Sequence, residues 1–176
     1  MKSGIGIMLC GLNGCGKSTL GKALAERTGF HFIDNENLFF RDNKKDKPYA
    51  NPKSRIQVTE MLMDEVKEHG NFIFAAVKGD YGEEILPLYS HIVKIEVPRE
   101  IRLKRVRERS YKKFGRRMLP GGDLYEQEKV FFEAVEKREE SLVDNWIKTL
   151  NCPVITVDGT RRIEKNVDEI VRLLCL

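Results

Sequence analysis

No apolar run in this chain approaches the ~20 residues that a bilayer-spanning helix needs, so a membrane span is not expected. The opening MKSGIGIMLC enters a strand-like stretch without the cleavage pattern of a secretory leader, and a cytoplasmic setting is the expectation. Cysteine is sparse: Cys10, Cys15, Cys152 and Cys175 form no CxxC pair, and three histidines give no familiar zinc spacing. Reduced thiols are therefore expected rather than a disulfide framework or a zinc ribbon. Charge is plentiful but nearly balanced, with 31 basic and 27 acidic residues and a net of +4, so nucleic-acid binding does not follow from composition. Internal repeats and low-complexity tracts are also missing.

What is present is an alternation. Short apolar runs occur at Ile5–Cys10, Phe30–Ile33, Phe72–Val77, His91–Val97 and Pro153–Val157. Between them lie stretches with helical spacing, STLGKALAERT, RIQVTEMLMDEVKEHG, EIRLKRVRERSYKK and YEQEKVFFEAVEKREESLVDNWIKTL. In the second, Ile56, Met61, Leu62 and Val66 predict an amphipathic helix stopped by Gly70. Strands alternating with helices predict an α/β fold, a five-stranded parallel sheet in a three-layer α/β/α arrangement, formed by one domain over residues 1–176. Two polar, basic, proline-bearing segments interrupt the rhythm, at about 38–55 and about 111–124. Long connections in a compact domain are usually functional, so the first is a candidate acceptor-binding insert and the second a candidate lid.

Directly after the first strand comes GLNGCGKST, which fits G-x-x-x-x-G-K-[ST] at Gly11, Gly16, Lys17 and Ser18. Such a loop turns successive backbone N–H groups toward phosphate oxygens, and the following helix start adds partial positive charge. The expected ligand is ATP, cradled by Gly11, Asn13, Gly14, Cys15, Gly16, Lys17, Ser18 and Thr19. Lys17 reaches the β and γ phosphates, and the Ser18 hydroxyl is a candidate Mg²⁺ ligand. The N-K-x-D segment of small GTPases is absent. So is the hhhhDE strand end that a motor or AAA-type ATPase would want, because FIFAAV runs into Lys78, Gly79 and Asp80. Phosphoryl transfer is thereby favoured over mechanical work, with a nucleotide-binding regulatory ATPase as the alternative of another class.

Over GLNGCGKSTLGKALAERTGFHFIDNENL the chain resembles the small phosphate-loop kinases: nucleoside monophosphate kinases, shikimate kinase and gluconate kinase. Shikimate kinases follow the loop with F-x-D-x-D at the end of the second strand, and Phe32, Asp34 and Glu36 stand at those positions, the second acid being Glu. The resemblance implies Asp34 in the Mg²⁺ shell and Glu36 at the acceptor hydroxyl, while Asp34 or Asn35 is equally suited to cap the helix that follows. AAVKGDYG resembles the S-A-L-K-x-x-Y-R segment of gluconate kinases through Lys78 and Tyr81. Arg41 matches the acceptor-phosphate arginine of nucleoside monophosphate kinases, and the basic insert with Arg41, Lys44, Lys45, Lys47 and Arg55 implies an anionic acceptor or a solvated loop.

Between Arg99 and Arg117 stand ten Lys or Arg against two acids, while Asp123 to Asp144 holds eight acids against three bases. The usual outcome of such adjacent blocks is a solvated helix face neutralised by its neighbour. Arg105 and Arg109 resemble the R-x-x-x-R of nucleoside monophosphate kinases, which implies one arginine on adenine and one on phosphate. Arg117, in FGRRMLPGG, matches the lid arginine of shikimate kinases. Thr160 and Arg161 in the DGT turn are candidate adenine contacts, with plain turn chemistry as the alternative. The resemblance thus implies an ATP- and Mg²⁺-dependent kinase whose partner is a small acceptor, shikimate- or gluconate-like, with a nucleoside monophosphate as the alternative. Neither a membrane nor a nucleic-acid partner is expected.

Overall fold

A computed structural model describes residues 4–41, 49 and 51–176. Five short strands carry the hydrophobic runs: β1 (Gly6–Cys10), β2 (His31–Asp34), β3 (Phe72–Ala75), β4 (His91–Glu96) and β5 (Val154–Asp158). All pair in parallel, in the order β2-β3-β1-β4-β5. Among the described residues seven α-helices flank them, six between strands and the last after β5: α1 (Lys17–Thr28), α2 (Asn35–Phe39), α3 (Arg55–His69), α4 (Arg99–Phe114), α5 (Tyr125–Glu136), α6 (Leu142–Ile147) and α7 (Ile163–Leu174).

The strands are apolar on both sides because helices cover both sides. Ile7, Leu9, Ile73 and Val93 point into a core closed by α1 and α7, where Leu20, Leu24, Val167 and Ile170 are buried. The alternate residues Met8, Phe72, Phe74 and Ile92 point the other way, against Val58, Leu62 and Val66 of α3 and Trp146 of α6. Phe72 and Phe74 are almost wholly buried, each worth roughly 2–3 kcal/mol of transfer free energy. The three-layer α/β/α architecture expected from the sequence is the one observed.

Ser54 opens α3 with a reciprocal capping box to Gln57, and Gly70 ends it. Ile56, expected on the apolar side of that helix, is instead 73% exposed, and Val58 takes the core position. The stretch 125–150 is not one helix: it breaks after Glu136, and α6 starts only at Leu142. The segment expected to begin a lid at residue 111 is still α4 through Phe114, followed by a 3₁₀ turn, Gly115–Met118. Acids of the α5–α6 region do neutralise the basic helix, since Arg107 pairs with Glu136 and Arg102 with Glu140.

In an open parallel sheet the crevice for ligands lies beyond the carboxyl ends of the strands, where the strand order reverses. Here β1 sits between β3 and β4, so the order reverses around β1. The GLNGCGKST loop leaves β1 at that point, and β2 delivers Asp34 to the same edge. Among the described residues no helix is long and apolar enough to cross a membrane.

Candidate active site

The loop after β1 is fixed on both sides. Gly11 N–H donates to the Val77 carbonyl at 3.2 Å and Cys15 N–H to the Leu12 carbonyl at 3.2 Å. Gly14 has φ +85° and packs so closely on α4 that a Cβ there would stand 2.3 Å from the Arg102 carbonyl oxygen. Gly16, at φ +99°, forms the N-terminal boundary of α1, whose first turn holds no acid and no side-chain cap. The helix start thus leaves backbone donors for an anion. Lys17 Nζ donates to the carbonyls of Gly11 (2.8 Å) and Leu12 (3.3 Å), folded over its own loop.

Two arginines brace Asn13 from outside the loop. Arg102, 3% exposed, donates to the Asn13 carbonyl (3.4 Å), to the Val97 carbonyl (3.1 Å) and to both Glu140 carboxylate oxygens (2.6 and 2.7 Å). Arg138 donates to Asn13 Oδ1 at 2.5 Å. Neither was singled out from the sequence, where Arg102 was only one of ten bases in a run.

Across the loop a cleft of about 260 Å³ is lined by Lys17, Ser18, Asp34, Glu36, Arg105 and Arg109, with Ala75 to Val77 as its floor. Asp34 caps α2, Oδ1 accepting from the Glu36 N–H at 2.9 Å. Glu36 Oε1 accepts from the Tyr49 hydroxyl at 2.9 Å and lies 3.7 Å from Lys113 Nζ. Arg109 makes no hydrogen bond or ion pair among the described residues and faces the cleft.

Arg105 links this cleft to a second cavity of about 350 Å³, lined also by Gly16, Thr19, Gly159 and Arg161. Its Nη1 donates to the Gly159 carbonyl at 3.0 Å. Arg161 pairs with Glu169 at 2.5 Å along one wall. Thr160 turns back on Asp158, its N–H (2.8 Å) and hydroxyl (2.6 Å) both donating to Asp158 Oδ1. Those bonds hold the Asp158 carboxyl below the usual range. Thr160 is thus held in the turn, at the rim of a separate, larger cavity of about 830 Å³.

Several expected acceptor residues do not line the cleft. Arg41 pairs with Glu65 at 2.6 Å. Arg55 (3.2 Å) and Lys78 (2.8 Å) both pair with Asp80, and Arg55 also lies over the Tyr81 ring, 4.9 Å from its centroid. Burial opposes ionisation of Asp80, but the Lys78 and Arg55 hydrogen bonds and charges outweigh it, leaving the carboxyl below its usual range. Tyr81 is buried and donates to Asn35 Oδ1, steadying the residue between the two acids; burial pushes its hydroxyl up to about 12. Arg117 grips Asp123 through Nε (2.9 Å) and Nη2 (2.7 Å) and lies outside the cleft. Lys44, Lys45 and Lys47 lie outside the described residues.

Beyond Glu36 the cleft opens into a further pocket of about 310 Å³. Phe39, Phe40, Tyr49, Phe114 and Phe131 form its apolar walls, and Asn13, Arg109, Lys113, Gln127 and Glu128 its polar ones. No sequence motif marked it, since its walls come from α2, α4 and α5 and from the isolated Tyr49.

Comparison with known proteins gives three findings. The model of the AAA domain family matches residues 7–129. The uncharacterized protein YqaC of Bacillus subtilis (strain 168) is 28% identical over 182 residues, which cover 99% of this chain and 98% of that protein. Among solved structures, a shikimate kinase from Bacteroides thetaiotaomicron superposes with a TM-score of 0.62 at 23% identity over 98% of this chain and 99% of its own. A gluconokinase from Sinorhizobium meliloti 1021 gives 0.55 at 16% identity over 98% and 92%. At such identities the likeness establishes a shared fold, that of the small phosphate-loop kinases.

Proposed function

The chain belongs to the AAA domain family, and on that premise we propose that it is an ATP-dependent phosphotransferase acting on a small hydroxylated metabolite. One observation carries the reading. A single cleft gathers the phosphate-loop lysine and serine, the carboxylates of Asp34 at the end of β2 and Glu36 in the first turn of α2, and two arginines from α4. Motor and AAA-type ATPases were set aside on sequence for want of paired acids closing the third strand, and β3 does run through Ala75 into Ala76 and Val77 without them. The acids of this site stand instead at the junction of β2, which Asp34 ends, and α2, whose first turn holds Glu36.

In the proposed reaction the acceptor oxygen bonds to the γ-phosphorus as the bond from phosphorus to the β,γ-bridging oxygen breaks. The hydroxyl proton passes to Glu36 and ADP leaves. Lys17 and Arg109 meet the charge on the transferring group, and Arg105, with the cavity by Gly159, receives the adenine end. The cleft suits Mg²⁺: the Ser18 hydroxyl and Asp34 carboxylate are hard oxygen donors lining one space, and the cap engages only Oδ1 of Asp34. The ion supplies charge neutralisation on the phosphoryl oxygens.

For the acceptor, the ion pairs favour a hydroxyl over an anion. Arg41, Arg55 and Lys78, the cations that would greet a carboxylate or phosphate, each hold a carboxylate of this chain. The nucleoside monophosphate reading leaned on Arg41, and its pairing with Glu65 weakens it. The test is ADP release from ATP and Mg²⁺ across a panel of hydroxylated metabolites, sugar acids, nucleosides and nucleoside monophosphates. Acceptor-dependent release is expected, reduced at least ~10²-fold by Lys17→Met, and slowed by Glu36→Gln far more with a hydroxyl acceptor than with a phosphate one. ATP hydrolysis stimulated by nucleic acid but by no small acceptor would sink the reading in favour of a regulatory ATPase.

A further inference from the structure

The pocket beyond Glu36 has a composition that the phosphoryl chemistry does not use. Its volume of about 310 Å³ is at the lower end for ligand sites and suits one small molecule. Aromatic rings from three helices face it: Phe39 from α2, Phe114 from the end of α4, Phe131 from α5. Convergent rings offer flat faces on which a planar ring stacks with little loss of conformational freedom. A flexible open-chain acid gains much less there.

The decisive group is Glu128. It stands in the first turns of α5, is only 2% exposed, and lines this pocket. Its Oε2 is buried without a hydrogen-bond partner among the described residues. A buried acceptor left unpaired is costly, and native proteins keep one where something else satisfies it. The missing partner is a donor. Arg109 and Lys113 also line the pocket, but a carboxylate or phosphate set against Oε2 of Glu128 would meet another anion there, whereas an N–H group would meet an acceptor ready for it.

We propose, on the kinase reading above, that this pocket holds the flat nitrogen ring of the acceptor, with an exocyclic amino group donating to Glu128 and a hydroxyl at Glu36. The acceptor class is an amino-bearing nucleoside rather than a sugar acid. A single unpaired oxygen selects an amino group over a carbonyl at the same ring position, because the carbonyl would set two acceptors face to face. Sites built to hydrogen-bond a particular group reject analogues lacking it more strongly than apolar pockets reject a change of size.

The experiment measures ADP release by the full chain with ATP, Mg²⁺ and one of cytidine, adenosine, uridine, inosine, shikimate or gluconate. Cytidine or adenosine is expected to be turned over in preference to its carbonyl counterpart. Glu128→Leu should erase that preference and lower kcat/KM for the amino-bearing nucleoside by about tenfold or more, chiefly through KM. Glu128→Gln, whose amide oxygen still accepts, should recover part of it. A merely structural Glu128 would shift the melting temperature and leave the amino-to-carbonyl ratio alone. Phe131→Ala should raise KM for both nucleosides of a pair alike, and remains informative if the Leu variant does not fold. Turnover of shikimate or gluconate but of no nucleoside overturns this assignment and leaves the kinase reading standing, as does an amino-to-carbonyl ratio unchanged in both Glu128 variants. No ADP release with any acceptor overturns both.

Discussion

Asp34 combines an observed role with a proposed one. Oδ1 closes the start of α2 by accepting from Glu36 N–H, and the side chain as a whole borders the phosphate cleft. The duties separate on substitution, because asparagine caps a helix about as well as aspartate but carries no charge. Asp34→Asn is expected to leave unfolding free energy within about 0.5 kcal/mol of wild type while lowering kcat by ~10²-fold or more. Asp34→Ala should show the same catalytic loss plus about 1 kcal/mol of destabilisation; chemical denaturation alongside steady-state kinetics reads both. These acids were legible in the sequence because the motif is local: strand, acid, amide, acid. Arg41, Arg55 and Lys78 were not. Nothing near Arg41 names Glu65, 24 positions on, as its partner, and a long flexible cation takes whichever carboxylate the fold brings within reach. Glu128 was equally hidden, since an acid in an acidic run gives no sign of being the one turned inward.

At the scale of elements, α4 is the member that organises the site. It sends Arg102 under the phosphate loop, Arg105 toward the Gly159 turn, Arg109 into the cleft and Phe114 into the aromatic-walled pocket beyond Glu36. As a sequence it read as a basic block with two family-like arginines, and the role of Arg102 stayed invisible because burial is set by what packs on the helix. The break between α5 and α6 has the same origin. Lys137 to Glu140 are good helix formers, so propensity predicted continuity. The chain turns there nonetheless, placing Arg138 on Asn13 and Glu140 on Arg102. Arg102→Met keeps the apolar stem and removes the bracing donors. It is expected to cost about 2 kcal/mol of stability by stranding the Val97 and Asn13 carbonyls, and to raise KM for ATP several-fold with a smaller change in kcat. Thermal melts and ATP titrations check the two halves independently.

At the scale of the whole molecule, many charges of the described residues stand in local pairs. Three of those pairings depress a carboxyl below its ordinary range, at Glu65, Asp80 and the exposed Asp123, and the first two are partly buried. Burial opposes the ionisation of Glu65, yet hydrogen bonds and charge from His31 and Arg41 prevail, as those from Lys78 and Arg55 do at Asp80. A carboxyl whose folded pKa lies below its unfolded value binds fewer protons folded than unfolded. Its contribution is complete above the unfolded pKa, about 4, and fades as pH falls through the folded one. Stability is therefore expected to hold between pH 5 and 7 as far as these two groups decide it, and to drop below about pH 4. Both carboxyls are partly solvent-exposed, so each share is modest. Melting temperature followed from pH 3 to 7 tests this: Asp80→Asn should lower the plateau and make the acid limb shallower, and an unchanged limb would count against the assignment. The sheet and its layers, by contrast, were plain from the alternation of runs, because hydrophobic period and strand length are properties of neighbours in the chain.

The resting posture of Lys17 has a consequence for how nucleotide is admitted. Its ammonium is already satisfied by the carbonyls of Gly11 and Leu12. Arrival of a phosphate tail is then a swap of one set of oxygens for another, and affinity reports the difference between the two. A lone phosphate ion gains little from that trade, while a triphosphate, whose other oxygens simultaneously find the loop amides, gains much. On the kinase reading, such a latch is expected to favour long polyphosphates over the inorganic anions that surround them, and competition of inorganic phosphate against ATP checks it.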